Sequence, residues 1–488
     1  MKNHPGAREL GLLAVATLLA VLVHGYHPGV EDAEIYLPGI KQALNPGLYP
    51  RNASFFASHA HLTLFPNLIA ASARLSHLPI DWVLLLWHAG SIFLLLLGCW
   101  HLGRLAFPGV LARWGSVSLV AAVLTIPVAG TALYIMDQYL NTRSLSTPAV
   151  LFMVVNSVEK KFVRALAWAA FTALIHPLMV VFGMAYVLAF LLLDRVGSGA
   201  GYAATAAGLI AFPLGLFPPV TEAYREVLNS RPYFFLQRWE WYEWLGIFAP
   251  LALLWWYRSI ARKKSWIVPE RMCAALVIFG AIFFLAALIV SLVPGLANFA
   301  ELQPMRNLHL VYLMFFVFSG GLLAEWVLSN RIWRWLLLFV PLCGGMAYAQ
   351  WRIFPATPHL EWPGTDPGNE WVRAFLWIRH NTPRDAYFAL DPQYMALAGE
   401  DEHGFRALAE RSRLADGVKD SGAVSMFPAM AEAWREQVRA QQEWRKFQLA
   451  DFQALKRRFG IDWIVLQQPG LAGLPCPYQN SAVQVCRL

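Results

Sequence analysis

The sequence predicts a polytopic α-helical membrane protein of about eleven spanning helices that ends in a small α/β domain. Three observations predict it. Of 488 residues, 57% are hydrophobic and only 14% charged, too little charge to cover a water-soluble protein of this size. Apolar runs recur near 9–25, 82–103, 115–135, 144–157, 164–176, 178–193, 200–217, 244–258, 270–293, 306–328 and 334–350. Beyond about residue 355 these runs stop, and helical and strand-like patterns of a soluble chain replace them.

Lys2 and Arg8 precede the first run, Leu10–Val23, and His24-Gly25-Tyr26-His27-Pro28 follows it. No small-x-small cleavage site follows the run, so an uncleaved first helix is expected. The two runs meeting at His176-Pro177 fit one helix broken by proline or two half-length helices. The membrane domain is thus expected over 1–354, with a first loop at 26–81 too long for a simple connector. That loop has an amphipathic segment near 62–75 and should carry short helices on the membrane surface.

The tail, 355–488, opens with Pro355, Pro358, Pro363 and Pro367. Asn369–His380 then has helical spacing, with Trp371, Phe375 and Ile378 on one side. Ala386–Leu390 and Trp463–Leu466 read as buried strands, separated in part by a helical region at about 429–459. Trp371, Trp377, Trp434 and Trp444 suit the tail's own core and its seat on the membrane domain.

Charge sets the orientation. With a cytoplasmic N-terminus, Arg104, Arg113, Lys160, Lys161, Arg164, Arg258, Arg262, Lys263 and Lys264 lie inside. The short outer loops then hold chiefly Arg143, Arg225, Arg231, Arg238 and Arg306. This positive-inside pattern puts the first loop and the tail in the periplasm of a bacterial inner membrane. The excess of 39 Lys+Arg over 31 Asp+Glu is then a topological charge, and no basic patch with interleaved aromatics suggests nucleic acid. Cys99, Cys273 and Cys343 are isolated in apolar runs, whereas Cys476 and Cys486 share the tail and are positioned to pair in an oxidising compartment or to stay free. Walker A, GxSxG, HExxH and dinucleotide glycine patterns are missing from the sequence, which argues against ATP-driven transport and covalent serine chemistry.

The first candidate site is Glu31-Asp32-Ala33-Glu34, directly after the first helix. Acids there suit a metal ion or a general base toward a hydroxyl acceptor, or a solvated loop that helps set topology. Asp137, with Arg143 six residues on, offers a second outer carboxylate or a structural ion pair. His176 is an ionisable group within an apolar region, either hydrogen-bonded to a neighbouring helix or functional. Arg306, in Leu302-Gln303-Pro304-Met305-Arg306, lies against the topological bias. Its planar fork suits a phosphate or pyrophosphate, or snorkels to headgroups.

In several stretches the chain resembles the GT-C superfamily of membrane glycosyltransferases, and more closely uncharacterised bacterial members of that type. The stretches are His27-Pro28-Gly29-Val30-Glu31-Asp32-Ala33-Glu34-Ile35-Tyr36-Leu37-Pro38, Ser58-His59-Ala60-His61-Leu62-Thr63-Leu64-Phe65 and Leu302–Arg306, with Trp377–Ala386 and Phe459–Val465 in the tail. The resemblance implies inverting transfer of a sugar from a polyprenyl-phosphate donor to a glycan, lipid or protein acceptor at the outer face. It implies that Asp32 (or Glu31) is the catalytic base or metal-contacting carboxylate of the first loop, that Asp137 takes the second-loop acid's place, and that Arg306 holds the donor phosphate. Arg143, Glu34, His59, His61, His176 and Gln303 complete the expected substrate-contacting set. A divalent ion, Mg or Mn, would sit on Asp32 and Asp137 if the enzyme uses one. This chain has Glu-Asp where many relatives have Asp-Asp or Asp-Glu, a mild departure. The other reading is a non-catalytic scaffold or transporter of lipid-linked glycans with the same fold. A transporter would prefer inverted repeats and charges at the bilayer midplane, for which only His176 is a candidate.

Overall fold

The computed structural model describes residues 5–196 and 220–488. The expected run at 200–217 lies outside them. Helix α1 spans Ala7–His24, and the first loop folds into three short helices, α2 (Ala33–Leu44), α3 (Ser54–Leu62) and α4 (Phe65–Ser76). Then come α5 (Ile80–Ala106), α6 (Val110–Ala122), α7 (Thr142–Val158), α8 (Phe162–Ile175) and α9 (Pro177–Val196). After a short α10 (Glu222–Asn229), α11 (Trp241–Lys263), α12 (Ile267–Leu292), α13 (Leu308–Leu323) and α14 (Ile332–Ile353) complete the helical part.

Six helical segments among the described residues are long and apolar enough to cross a membrane: Ala7–His24, Ile80–Ala106, Pro177–Asp194, Ile267–Leu292, Gly295–Leu328 and Ile332–Ile353. Two more, Val110–Ala122 and Phe162–Ile175, are apolar but short. The run at 115–135 does not stay helical. It stops at Ala122, and Pro127, which cannot supply a helical N–H, leads into a turn closed by an antiparallel Pro127–Tyr134 bridge. The chain also breaks at His176, so α8 and α9 are separate helices. Outward faces such as Leu18, Leu336 and Val340 stay exposed, as lipid-facing surfaces do. Where helices touch, small residues let the backbones close. A Cβ on Gly115 would lie 2.3 Å from the Gly320 carbonyl oxygen, so α6 and α13 cross in near-backbone contact.

The tail holds α15 (Glu370–Asn381), α16 (Phe405–Ala409), α17 (Asp420–Met426), α18 (Ala431–Ala440) and α19 (Leu449–Phe459). Its strands are β1 (Tyr387–Ala389), β2 (Ser412–Arg413), β3 (Trp463–Gln467), β4 (Tyr478–Gln479) and β5 (Val483–Arg487). They order β2-β1-β3-β5-β4, with β2, β1 and β3 parallel and β5 antiparallel to both β3 and β4. Side chains alternate across the sheet. Phe388, Trp463, Val465, Val483 and Val485 pack with Trp371, Phe375 and Ile378 of α15. Tyr387, Ile464, Leu466 and Cys486 pack with Trp444, Phe452 and Leu455 on the other face. Burial on both faces is why the strands read as continuous apolar runs. The helical region expected at 429–459 is broken, because Glu443 takes a left-handed φ of 59° between α18 and α19. Cys476 and Cys486 form a disulfide.

The tail docks on the first loop by backbone pairing. The Tyr26 N–H donates to the His359 carbonyl (3.1 Å), that of Glu361 to Tyr26 (2.9 Å), that of Glu31 to Glu402 (2.8 Å) and that of Gly404 to Gly29 (2.8 Å). Within this seam the Glu361 carboxylate lies 2.9 Å from His27 Nδ1 and 3.3 Å from His403 Nε2.

Candidate functional site

The docking positions a cavity of about 270 Å³ where the first loop, the helical domain and the tail meet. Its walls come from distant parts of the chain: Asp32 and Tyr36 at the start of α2, His59 and Thr63 around the end of α3, Arg143 at the start of α7 and His176 at the α8–α9 break. Arg231 and Tyr233 add a further side, Gln303 and Arg306 stand before α13, and Lys419, Ser425 and Met426 come from the tail.

The acidic motif is splayed by its backbone. Glu31 takes a left-handed φ of 56°, rare for a residue with a Cβ, and Asp32 follows at the N-terminal boundary of α2, its N–H donating to the Tyr139 hydroxyl (3.2 Å). Asp32 consequently faces the cavity. One of its oxygens, Oδ2, accepts from both Arg143 Nη atoms at 3.3 Å, and Oδ1 lies 3.5 Å from Lys419 Nζ. Glu31 pairs closely with Lys419 and is not itself a wall residue.

Asn141 caps α7, its Oδ1 accepting from the Ser144 N–H (3.0 Å) while its Nδ2 donates to Asp137 Oδ2 (2.6 Å). Arg143 donates to the same oxygen from Nη2 at 2.9 Å and Nε at 3.3 Å. Asp137 is buried behind Arg143 and does not line the cavity. The two expected acids are therefore brought together by one guanidinium lying between them, which stands where an ion shared by both acids would bind.

Among the described residues, four cations, Arg143, Arg231, Arg306 and Lys419, face this space with the single carboxylate of Asp32. Burial pushes the Lys419 ammonium down to about 7, and the His59 imidazole down to about 4. Arg306 Nε, Arg231 Nε, Gln303 Oε1, His59 Nδ1 and Thr63 Oγ1 are buried and have no hydrogen-bond partner among the described residues. Buried polar atoms left unpaired are uncommon, and five converging on one cavity mark a place for a polar ligand. An apolar side completes it: Ile35, Leu62, Ile175, Leu178 and Met426 line it, and Leu62, Leu64 and Met426 are exposed beside it.

Two expected contacts lie elsewhere. Glu34 does not reach the cavity. It is fully buried and accepts from Arg413 Nη2 (2.8 Å) and Nε (3.0 Å) and from the Ala407 N–H (3.1 Å), so it anchors the tail. His61, at the end of α3, points to the exposed surface and is not a wall residue. Several wall residues were not singled out from sequence as site residues, among them Lys419, Arg231 and Tyr36. Lys419 lies far along the chain from Asp32, and no periodic pattern ties them. Tyr36, two positions past Glu34 and accepting from the Thr142 hydroxyl (3.3 Å), was within reach of the acidic motif. Comparison with protein-family models and with curated proteins gives no match.

Proposed function

We propose that this chain is a glycosyltransferase of the bacterial inner membrane, with about eleven crossings when short helices are counted and a periplasmic tail. It moves a sugar from a polyprenyl-phosphate donor to an acceptor hydroxyl of a glycan, lipid or protein. The observation that carries this reading is the cavity itself, where one carboxylate stands among four cations and unpaired buried donors beside an apolar side. A lipid phosphate ester needs cations for its head and an apolar flank for its chain; a hydroxyl acceptor needs a base.

In this reading the acceptor oxygen attacks the sugar's anomeric carbon on the face opposite the phosphate. The new carbon–oxygen bond forms as the bond to phosphate oxygen breaks, and the electron pair leaves with the phosphate. The acceptor proton passes to Asp32, whose Oδ1 is the less engaged oxygen. Charge growing on the departing phosphate is met by Arg306 and Arg231, whose unpaired Nε atoms are already desolvated. Lys419 leaves Glu31 for the phosphate or holds Asp32 in place. The donor set does not fit a resident divalent ion, because Arg143 stands between Asp32 and Asp137, and no step is routed through one.

The test uses the purified chain in phospholipid vesicles with a panel of radiolabelled polyprenyl-phosphate sugars. Loss of label from the lipid is expected for at least one donor, and Asp32→Asn should slow it by roughly a hundredfold to ten-thousandfold. Full turnover by Asp32→Asn, or no donor consumed, overturns the proposal.

A further inference from the structure

A second cavity, of about 260 Å³, lies at the far end of the helices that frame the first. The first takes Arg143 from the start of α7 and Ile175 from the end of α8. The second takes Asn156 and Glu159 from the end of α7, and Lys161 and Arg164 from the start of α8. At the helical rise, Arg143 and Asn156 are roughly 20 Å apart, so on the membrane reading proposed above the two cavities address opposite leaflets.

Its charge is unbalanced. Glu159 accepts from Arg104 and, at 2.6 Å, from Lys161 Nζ. Arg164 is a third cation on the wall, against that one carboxylate among the described residues. Phe152 and Trp168 stack with ring centroids 5.0 Å apart and, with Val155 and Ala167, make an apolar wall beside the cations. On the neighbouring turns α8 exposes Phe162, Val163 and Leu166, a flank suited to acyl chains.

We propose that this cavity binds the phosphodiester headgroup of an anionic glycerophospholipid in the leaflet opposite the tail. Basic hollows between membrane helices take such headgroups. Loop charge that only sets orientation needs no concave, aromatic-walled space, and a free phosphate would leave that wall unused. Lys161 and Arg164 meet the phosphate, while the glycerol and first methylenes lie on Phe152 and Trp168.

The test is thermal unfolding of the detergent-purified full chain titrated with short-chain phosphatidylglycerol, phosphatidylcholine or inorganic phosphate. Phosphatidylglycerol should raise the midpoint well above the effect of phosphatidylcholine. Lys161→Gln combined with Arg164→Gln should weaken its apparent affinity roughly tenfold or more. Equal responses to the two lipids, an unchanged response of the double variant, or an equal rise with inorganic phosphate each overturn the proposal. Should the double variant be poorly folded, the unmodified chain decides. Brominated phosphatidylglycerol should quench more tryptophan emission than brominated phosphatidylcholine, and Trp168→Phe should remove the excess; no excess overturns the proposal.

Discussion

Two ionic clusters meet at the start of α2, built from the same four-residue stretch. In one, Glu34 and the arginines Arg406 and Arg413 lie with Asp416 and Asp420 at side-chain exposures of 0–2%. Arg406 grips Asp420 with both Nη atoms, at 2.7 and 2.9 Å. In the other, Asp32 and Glu31 remain 29% and 33% exposed while facing Lys419 and Arg143. Both clusters pair acids with bases, yet only the second opens onto space. The sealed cluster has its charge committed within the protein and holds the tail in register. The open one keeps an oxygen and several cations within reach of a ligand. Function is assigned to the open cluster because its groups have capacity to spare, not because its charges are more numerous.

The widest separation between the clusters is expected from their acids. Asp32→Asn should remove most of the transfer while unfolding as the parent does, since its carboxylate is partly solvated and weakly paired. Glu34→Gln should act oppositely. Removing one partner of a buried ion pair strands the others and costs about 3–5 kcal/mol, which denaturant unfolding or proteolytic release of the tail would record. If Asp32→Asn destabilised the chain and Glu34→Gln left its stability intact, the comparison would be inverted.

A smaller effect belongs to the seam beside the clusters. Burial works against ionisation of Glu361, but His403 and His27 hold its carboxyl down to about 2. Because this lies below the ordinary value of 4.5, its stabilising contribution is complete above that pH. It is lost as the pH falls toward 2 and amounts to about 3 kcal/mol at most. Proteolysis at the proline-rich linker, followed from pH 7 to pH 2.5, should show docking loosen below about 4.5. Glu361→Gln should flatten that part of the profile. Identical profiles for the two chains would show that the Glu361 contacts do not hold the tail.

What the sequence made legible follows from the range of the forces involved. The tail strands and α15 were readable because continuous apolar runs and helical spacing are local signals, and both faces of β3 are buried. Asp32, Arg143, His59, His176, Gln303 and Arg306 were expected at a site and do line one cavity. The fate of Glu34 was hidden, since its partners Arg406 and Arg413 are brought by tertiary docking and no local spacing announces them. Lys419 was hidden for the same reason. The end of α6 was foreseeable from Pro127, which the apolar run masked. A long helix over 429–459 was over-read, because the left-handed turn at Glu443 carries no glycine to signal it.

The smallest expected effect is from removing divalent ions, and it sharpens the comparison by being absent. Two carboxylates near a lipid phosphate would ordinarily invite Mg or Mn. Here the Arg143 guanidinium is shared between Asp32 and Asp137, and a divalent ion there would have to displace a buried cation from both. Arginine supplies fixed positive charge without an ion to lose, so turnover of a lipid-linked sugar donor should be unchanged by EDTA and by added Mg or Mn. Arg143→Gln should then reduce activity without rescue by either metal, because Asp32 loses the group that orients it. Rescue of that variant by Mg would show the opposite: Arg143 would be holding the place of an ion, and the open cluster would be a metal site once that side chain is withdrawn.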